Sequence, residues 1–253
     1  MCLRCVCRAS RGKTEEGEAT AVSRGRHFRD STILARVAAG SVAGTTVDGL
    51  QALLGWLPGP HYTPKGQAWT LIYRGSRDGW QPSDFHAACH GKGPTLVLVL
   101  GAAKDDGREF VAGGYAAASW TSRAAHDVAD PELARSVGRG SFLFSLVDAA
   151  GHGPVQLRLK DPADSSTQRH HGSHGPQFGY RALAVGTGMG SNSSSKPLNG
   201  EGNSWTCTSR SCSSYDATAA AAQGCTTFRG ADHPLAAYSY EFTTAELEVF
   251  ALQ

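Results

Sequence analysis

The chain lacks any apolar run of the length that a membrane span requires. Its longest, residues 94–103, falls far short of the roughly 20 residues needed to cross a bilayer. No apolar signal-peptide core follows Met1, and seven cysteines cannot all pair within one chain, which favours a reducing compartment. We therefore expect an intracellular protein without a membrane span, most simply cytoplasmic. The basic N-terminus leaves organelle import open.

Clustered positive charge is also scarce. Residues 1–30 hold seven Lys and Arg against four acidic residues, so with a net charge of +2 overall the rest of the chain carries about −1. A nucleic-acid surface needs grouped cations to displace counterions. The composition thus predicts no nucleic-acid partner.

Familiar nucleotide and hydrolase motifs are missing. The glycine-rich run 186–190, GTGMG, lacks the Lys-Ser/Thr step of a P-loop, and no G-x-S-x-G elbow occurs. No internal repeat is present either. The sequence therefore indicates no cofactor.

The chain divides into a tail and one domain. Residues 1–44 show no sustained apolar periodicity and predict a basic, mostly disordered tail, with one loose helix considered around Ser31–Ala39. Residues 45–253 predict the domain, which begins with an amphipathic helix over 46–57 and has its core in 68–253. Long polar loops are expected at 161–176 and 187–224.

The domain is predicted to be mainly β. Many short apolar runs separated by Gly-rich turns, with few helices, favour an α+β domain built as a two-sheet antiparallel β-sandwich with short peripheral helices. Thr95–Leu100 is expected at its centre, covered on both faces. The remaining strands are expected at Trp69–Tyr73, Phe110–Trp120, Ser141–Val147, Val155–Leu159, Phe178–Val185 and Leu247–Leu252.

One helix is well marked between Gln81 and Gly91. Pro82 suits a first helical position, and Asp84 places a carboxylate in the first turn. Gly91 can adopt the left-handed conformation that ends a helix. Phe85 and Cys89, with Ala88, are expected to form its buried stripe.

Several segments together resemble a known family. The run Leu71–Leu100, LIYRGSRDGWQPSDFHAACHGKGPTLVLVL, resembles the opening of a TLDc domain, found in oxidation-resistance proteins and in many algal and protist proteins. Phe110–Trp120 resembles the family's G-Y-x-x-x-x-W strand, and Ser141–Val147 its F-L-F-S-L strand. Gln177–Gly179 and Ala245–Leu252 resemble its Phe-Gly step and its closing strand. The resemblance covers about residues 68–253.

The resemblance implies a two-sheet sandwich and a role in protection against oxidative stress. For several family members it also implies binding to the V-type proton ATPase and control of its assembly. No accepted active site comes with the family. A non-enzymatic interaction domain is therefore the first functional hypothesis, with a protein as its partner.

The alternative is a thiol- or carboxylate-dependent hydrolase or a peroxide-consuming enzyme. His86 and Cys89 lie three residues apart on one helix, and a His can lower a thiol's pKa. Glu248 and Glu246 project from one sheet face, where two acids could act as general acid and base. Glu248 is the first choice because it matches the family's Glu. The structural alternative for Cys89 is a buried, unreactive thiol. The structural alternatives for Glu248 are an outward-facing side chain on an edge strand or a hydrogen-bond partner for a nearby turn.

Two further groups are weighed. Arg74 and Arg77 flank a turn and are candidates for partner binding. The cysteines and histidines spaced closely enough to suggest metal binding lack a matching second pair, so no metal is predicted. These are Cys2, Cys5, Cys7, Cys207, Cys212, His170, His171 and His174.

Overall fold

The computed structural model describes the greater part of the domain in separate stretches. These are residues 28–45, 47–57, 68–103, 106–121, 140–161, 168–169, 172–179, 182–186, 197–199, 203–206, 215–216 and 239–253.

Helices and strands alternate irregularly along the chain. The helices are α1 (Thr32–Ala38), α2 (Val47–Trp56), α3 (Gly75–Asp78) and α4 (Pro82–Cys89). The longer strands are β1 (Trp69–Arg74), β2 (Thr95–Ala103), β3 (Glu109–Ala116), β4 (Phe142–Val147), β5 (Val155–Arg158) and β10 (Ser239–Leu252). The short strands are β6 (Gln168–Arg169), β7 (Gln177–Phe178), β8 (Leu183–Ala184) and β9 (Asn203–Thr206).

The strands pair in the order β5–β4–β3–β2–β10–β9–β8–β7–β6. Every pairing between these strands is antiparallel. The long strand β10 bonds to β2 along one edge, while its other edge bonds to β9 near its start and to β1 near its end. β10 is therefore the strand that joins the two parts of the sheet.

The far end of this sheet folds back over its middle. Phe178 in β7 packs on β3, since a Cβ added to Gly114 would lie 2.6 Å from its ring. The rings of Phe178 and Trp120 also meet edge to face, with centroids 5.7 Å apart. The result is a mainly β, two-layer antiparallel sandwich with short helices at its periphery. The predicted fold class is confirmed, with the layers continuous through β10.

Two hydrophobic clusters lie on opposite faces of the central strands. Because side chains alternate along a strand, Val97 and Val99 enter one cluster and Leu96 and Leu98 enter the other. All six residues of Thr95–Leu100 are buried, as the continuous apolar run predicts. We call the cluster beneath α4 and β7 the inner core and the one beneath α1 and α2 the helix-side core.

The helix predicted between Gln81 and Gly91 is α4. Pro82 occupies its first turn, and the backbone N–H of Gln81 donates to Asp84 at 2.9 Å. Gly91 has φ +70°, the left-handed conformation expected after the helix. Phe85 and Cys89 are fully buried.

The part of the predicted tail that the structure describes is ordered and packed. Residues 32–38 form α1, and Ile33, Leu34 and Val37 are buried in the helix-side core together with Phe28. Each such side chain contributes about 1.5–3 kcal/mol when fully buried. Residues 28–44 therefore belong to the folded domain, because the sheet supplies the apolar surface that this short helix lacks. Residues 1–27 lie outside the described residues.

Several boundaries also differ from the sequence expectations, and β10 begins at Ser239 rather than at Leu247. The run Phe178–Val185 forms the separate strands β7 and β8, because a turn at Gly179, with φ +58°, interrupts it. Strands β6 and β9 fall within the segments 161–176 and 187–224 that were predicted as loops. Both are too short to give a periodic signal.

Candidate functional site

Glu248 is the charged residue buried most deeply among those described, with no exposed surface. It lies in the interior of β10, opposite Leu98 of β2 and Arg74 of β1. An outward face on an edge strand is therefore the wrong reading of this residue. Its neighbours Leu247 and Val249 enter the inner core, so Glu248 points to the other face, towards α1.

Four donors converge on the Glu248 carboxylate. Ser31 Oγ donates to Oε2 at 2.5 Å, while the backbone N–H and the hydroxyl of Thr32 each donate to Oε1 at 2.8 Å. Arg74 Nε donates to Oε1 at 3.1 Å. A carboxylate bonded in this way has its acceptor positions directed at protein groups rather than at a substrate.

The start of α1 explains why a carboxylate fits here. Ser31 is the N-cap, and its Oγ accepts from Leu34 N at 2.9 Å. The first backbone N–H groups of a helix have no partner within it, and the helix dipole favours negative charge at this end. Glu248 supplies both an acceptor and that charge from a different part of the chain.

Arg74 links Glu248 to the short helix α3. Its guanidinium bonds to Glu248 and also donates to the backbone carbonyl of Asp30, and its backbone N–H donates to Asp78 at 2.8 Å. Only 18% of its side chain is exposed. We call Ser31, Thr32, Arg74 and Glu248 the Glu248 cluster.

The second arginine of the predicted pair is placed differently. Arg77 donates Nε and Nη2 to the two oxygens of Asp78, at 2.7 and 2.8 Å, and half of its side chain faces solvent. Hydrogen bonding by Arg77 lowers the pKa of the Asp78 carboxyl.

Glu246, on the same face as Glu248, accepts hydrogen bonds from the backbone N–H and the hydroxyl of Ser76. Ser76, Arg77 and Asp78 therefore form an exposed rim that is held by hydrogen bonds and an ion pair.

Cys89 lies in the inner core with no exposed surface. Burial raises the pKa of its thiol far above the ordinary value, and the negative charge of Asp78 adds to the rise. A thiol in this state is a poor nucleophile, because the thiolate is the reacting form. His86 is 7% exposed, and its Nε2 lies 2.9 Å from the carbonyl oxygen of His174.

The sheet separates these catalytic candidates. Cys89 packs with the inner core, whereas Glu248 faces the helix side. The enzymatic alternative required one concave pocket lined by His86, Cys89 and Glu248. The structure does not bring Glu248 and Cys89 into one pocket, so the two do not form a shared site.

A surface pocket of about 310 Å³ lies elsewhere, at the outer edge of β4 and β5. It is lined by Trp56, Gly140, Ser141, Phe142, Gln156, Arg158 and Leu159. None of the sequence-predicted site residues lines it.

Two site residues were missed by the sequence reasoning. Ser31 and Thr32 lie in the segment predicted as a tail, yet they supply three of the four donors to Glu248. The available signal was a Ser followed by Ile33 and Leu34, with Val37 one turn later, which is the pattern of an N-cap and a short apolar stripe.

Neither a cluster of metal-ligand side chains nor a membrane-spanning helix occurs in the part of the chain that the structure describes. There, no group of three His, Cys, Asp or Glu side chains is placed to hold a metal ion. Nor is any described helix long and apolar enough to span a bilayer. Of the metal candidates, only His174 lies within the described residues.

Comparison with known proteins places the whole described domain, apart from α1, in one family. A search of curated proteins gave no match. The family description "TLDc domain" matches residues 48–253, which begins in α2 and includes every strand and the Glu248 carboxylate. The match covers most of the sequence, and the chain belongs to the TLDc domain family.

Proposed function

We propose that the chain is a non-enzymatic interaction domain that protects against oxidative stress by binding the V-type proton ATPase. The observation that carries the proposal is the family match over residues 48–253. The working compartment in this proposal is the cytoplasm. The partner is a protein, and no cofactor is required.

The chemistry of the candidate residues supports an interaction role. The hydrogen bonds of Glu248 are made to groups that hold α1 on the sheet, and the Cys89 thiol is sealed in the inner core. Both side chains therefore have a structural use. Neither is presented to a substrate.

Arg77 is the better of the two partner-binding candidates. Arg74 is engaged inside the Glu248 cluster, whereas 49% of the Arg77 side chain is exposed. Its ion pair with Asp78 is a surface pair, and such pairs contribute little to stability. Arg77 can therefore exchange Asp78 for an acidic group on a partner at small cost.

The test is capture of purified V-type ATPase by the immobilised full-length chain, under reducing and oxidising conditions. Arg77→Glu is expected to weaken capture about tenfold or more, because it reverses a charge at the contact. Arg108→Glu is the matched control. Arg108 is also exposed and paired with a neighbouring carboxylate, that of Asp106, but lies in a different turn.

Equal capture by both variants would remove Arg77 from the interface. Absence of capture by the unmodified chain in either redox state would refute the ATPase as partner.

A further inference from the structure

We infer that Thr32 is a phosphorylation site whose modification releases α1 from the sheet. The inference rests on the Glu248 cluster and is independent of the proposed ATPase partner. Thr32 is exposed, and so are Arg29 and Asp30 immediately before it. Its hydroxyl is nonetheless bonded directly to a fully buried carboxylate oxygen, at 2.8 Å from Glu248 Oε1.

The local sequence suits a kinase that selects basic residues. Arg29 stands three residues before Thr32, and the apolar Ile33 follows it. The γ-phosphoryl group of ATP would be transferred to Thr32 Oγ1. The new P–O bond forms as the bond to the β-phosphate breaks, ADP leaves with that electron pair, and the hydroxyl proton passes to the kinase's catalytic carboxylate.

The product is incompatible with the observed contact. A threonine hydroxyl donates to Glu248, but a phosphorylated oxygen has no proton to donate. The attached phosphate group also carries a charge of about −1.5 to −2 at pH 7. Two anionic groups would then face each other at hydrogen-bond distance, with one of them buried. Such a pair is disfavoured by repulsion between like charges, which water screens only weakly beside a buried carboxylate.

Two cations near Thr32, Arg74 and Arg36, are already engaged where α1 is docked. Arg74 bonds to Glu248 and to the carbonyl of Asp30, and Arg36, one turn along α1, bonds to Glu109 at 2.6 Å. A phosphate that recruits one of them breaks an existing bond of the docked helix. The expected response is therefore that the start of α1 leaves the Glu248 cluster.

The experiment treats the full chain with Mg-ATP and the catalytic domain of a kinase that selects Arg three residues before its acceptor. Mass spectrometry locates the phosphate, and hydrogen exchange compares residues 28–45 with β2 as an internal reference. We expect phosphate on Thr32 and a loss of protection in α1 of about tenfold or more, with β2 unchanged. Thr32→Val is expected to abolish phosphate incorporation within residues 28–45, the segment that contains Thr32. Thr70→Val, at an exposed threonine without an Arg in that position, is expected to leave it unchanged.

Glu248→Gln tests the repulsion itself. Phosphorylation of this variant is expected to loosen α1 less than in the parent chain, because an amide can donate to the phosphate. Failure of the kinase to modify Thr32 in the folded chain would overturn the inference. Phosphate on Thr32 with α1 still fully protected would also overturn it. If Glu248→Gln does not fold, the measurements on the parent chain decide alone.

Discussion

At the scale of single residues, two glutamates on the same face of β10 differ in their surroundings. Glu248 is fully buried, and Ser31, Thr32 and Arg74 offset the cost of its desolvation by bonding to its oxygens. Glu246, two residues earlier, is partly exposed and bonds to Ser76 at the rim. The two acids therefore differ in their importance for stability.

Glu248→Ala is expected to lower the free energy of unfolding by about 3–5 kcal/mol, because it leaves buried donors and the Arg74 cation without a partner. Urea unfolding of the full chain measures this loss. Glu246→Ala is the matched control, with an expected loss within about 1 kcal/mol because water can replace the lost contact. Similar losses for the two variants would contradict this account.

Cys89 is expected to resist alkylation in the folded protein. Burial both blocks access and raises the pKa of its thiol, so modification requires local unfolding. Mass spectrometry after iodoacetamide treatment should show Cys89 reacting at least about a hundredfold more slowly in buffer than in urea. Rapid labelling in buffer, with the circular dichroism of the protein unchanged, would contradict a sealed thiol.

At the scale of elements, α1 shows how a short helix depends on its surroundings. Seven residues are too few for an isolated helix to be stable in water. Its apolar side chains pack in the helix-side core, Glu248 satisfies its first turn, and Arg36 bonds to Glu109 in β3. The helix is therefore held at its start, along its stripe and near its end.

Ile33→Ala is expected to lower the free energy of unfolding by about 2 kcal/mol, since Ile33 is 1% exposed and its removal leaves a cavity beneath α1. Urea unfolding provides the measurement. Ala35→Ser, on the exposed face of the same helix, should change stability by no more than about 0.5 kcal/mol. Equal effects at both positions would mean that α1 is not docked as described.

The sequence predicted elements whose signal is local. The central strand follows from an unbroken apolar run, Thr95–Leu100, and α4 from Pro82 and Gly91 at its two ends. A hydrogen-bonding role was one of the readings of Glu248, but its partners could not be predicted, because Ser31 is 217 residues away along the chain. The order of residues 28–44 was missed for the same reason.

At the scale of the whole molecule, the approach of the two layers depends on glycine in β3. A side chain at Gly114 would meet the ring of Phe178, with the nearest ring carbon 2.6 Å from the added Cβ. The absence of a side chain there lets the aromatic ring of β7 lie against the backbone of β3. The inner core is thin at this point.

Gly114→Ala is expected to cost about 1–3 kcal/mol of unfolding free energy, because the added methyl group forces Phe178 and its layer outwards. Gly55→Ala is the control. A Cβ at Gly55 meets no heavy atom within 4 Å, and the replacement within α2 should stabilise the protein by about 0.5–1 kcal/mol. Thermal unfolding distinguishes the two directions of change. A neutral Gly114→Ala would show that the layers have room to adjust.

The position of β10 has a kinetic consequence. This strand bonds to β1, β2 and β9, all of which precede it along the chain, and it pairs Leu252 with Trp69. A nascent chain leaving the ribosome therefore exposes its apolar strands while their central neighbour is still being synthesised. Because such distant pairings form slowly, we expect this interval to be the time of greatest aggregation risk and of greatest need for chaperones.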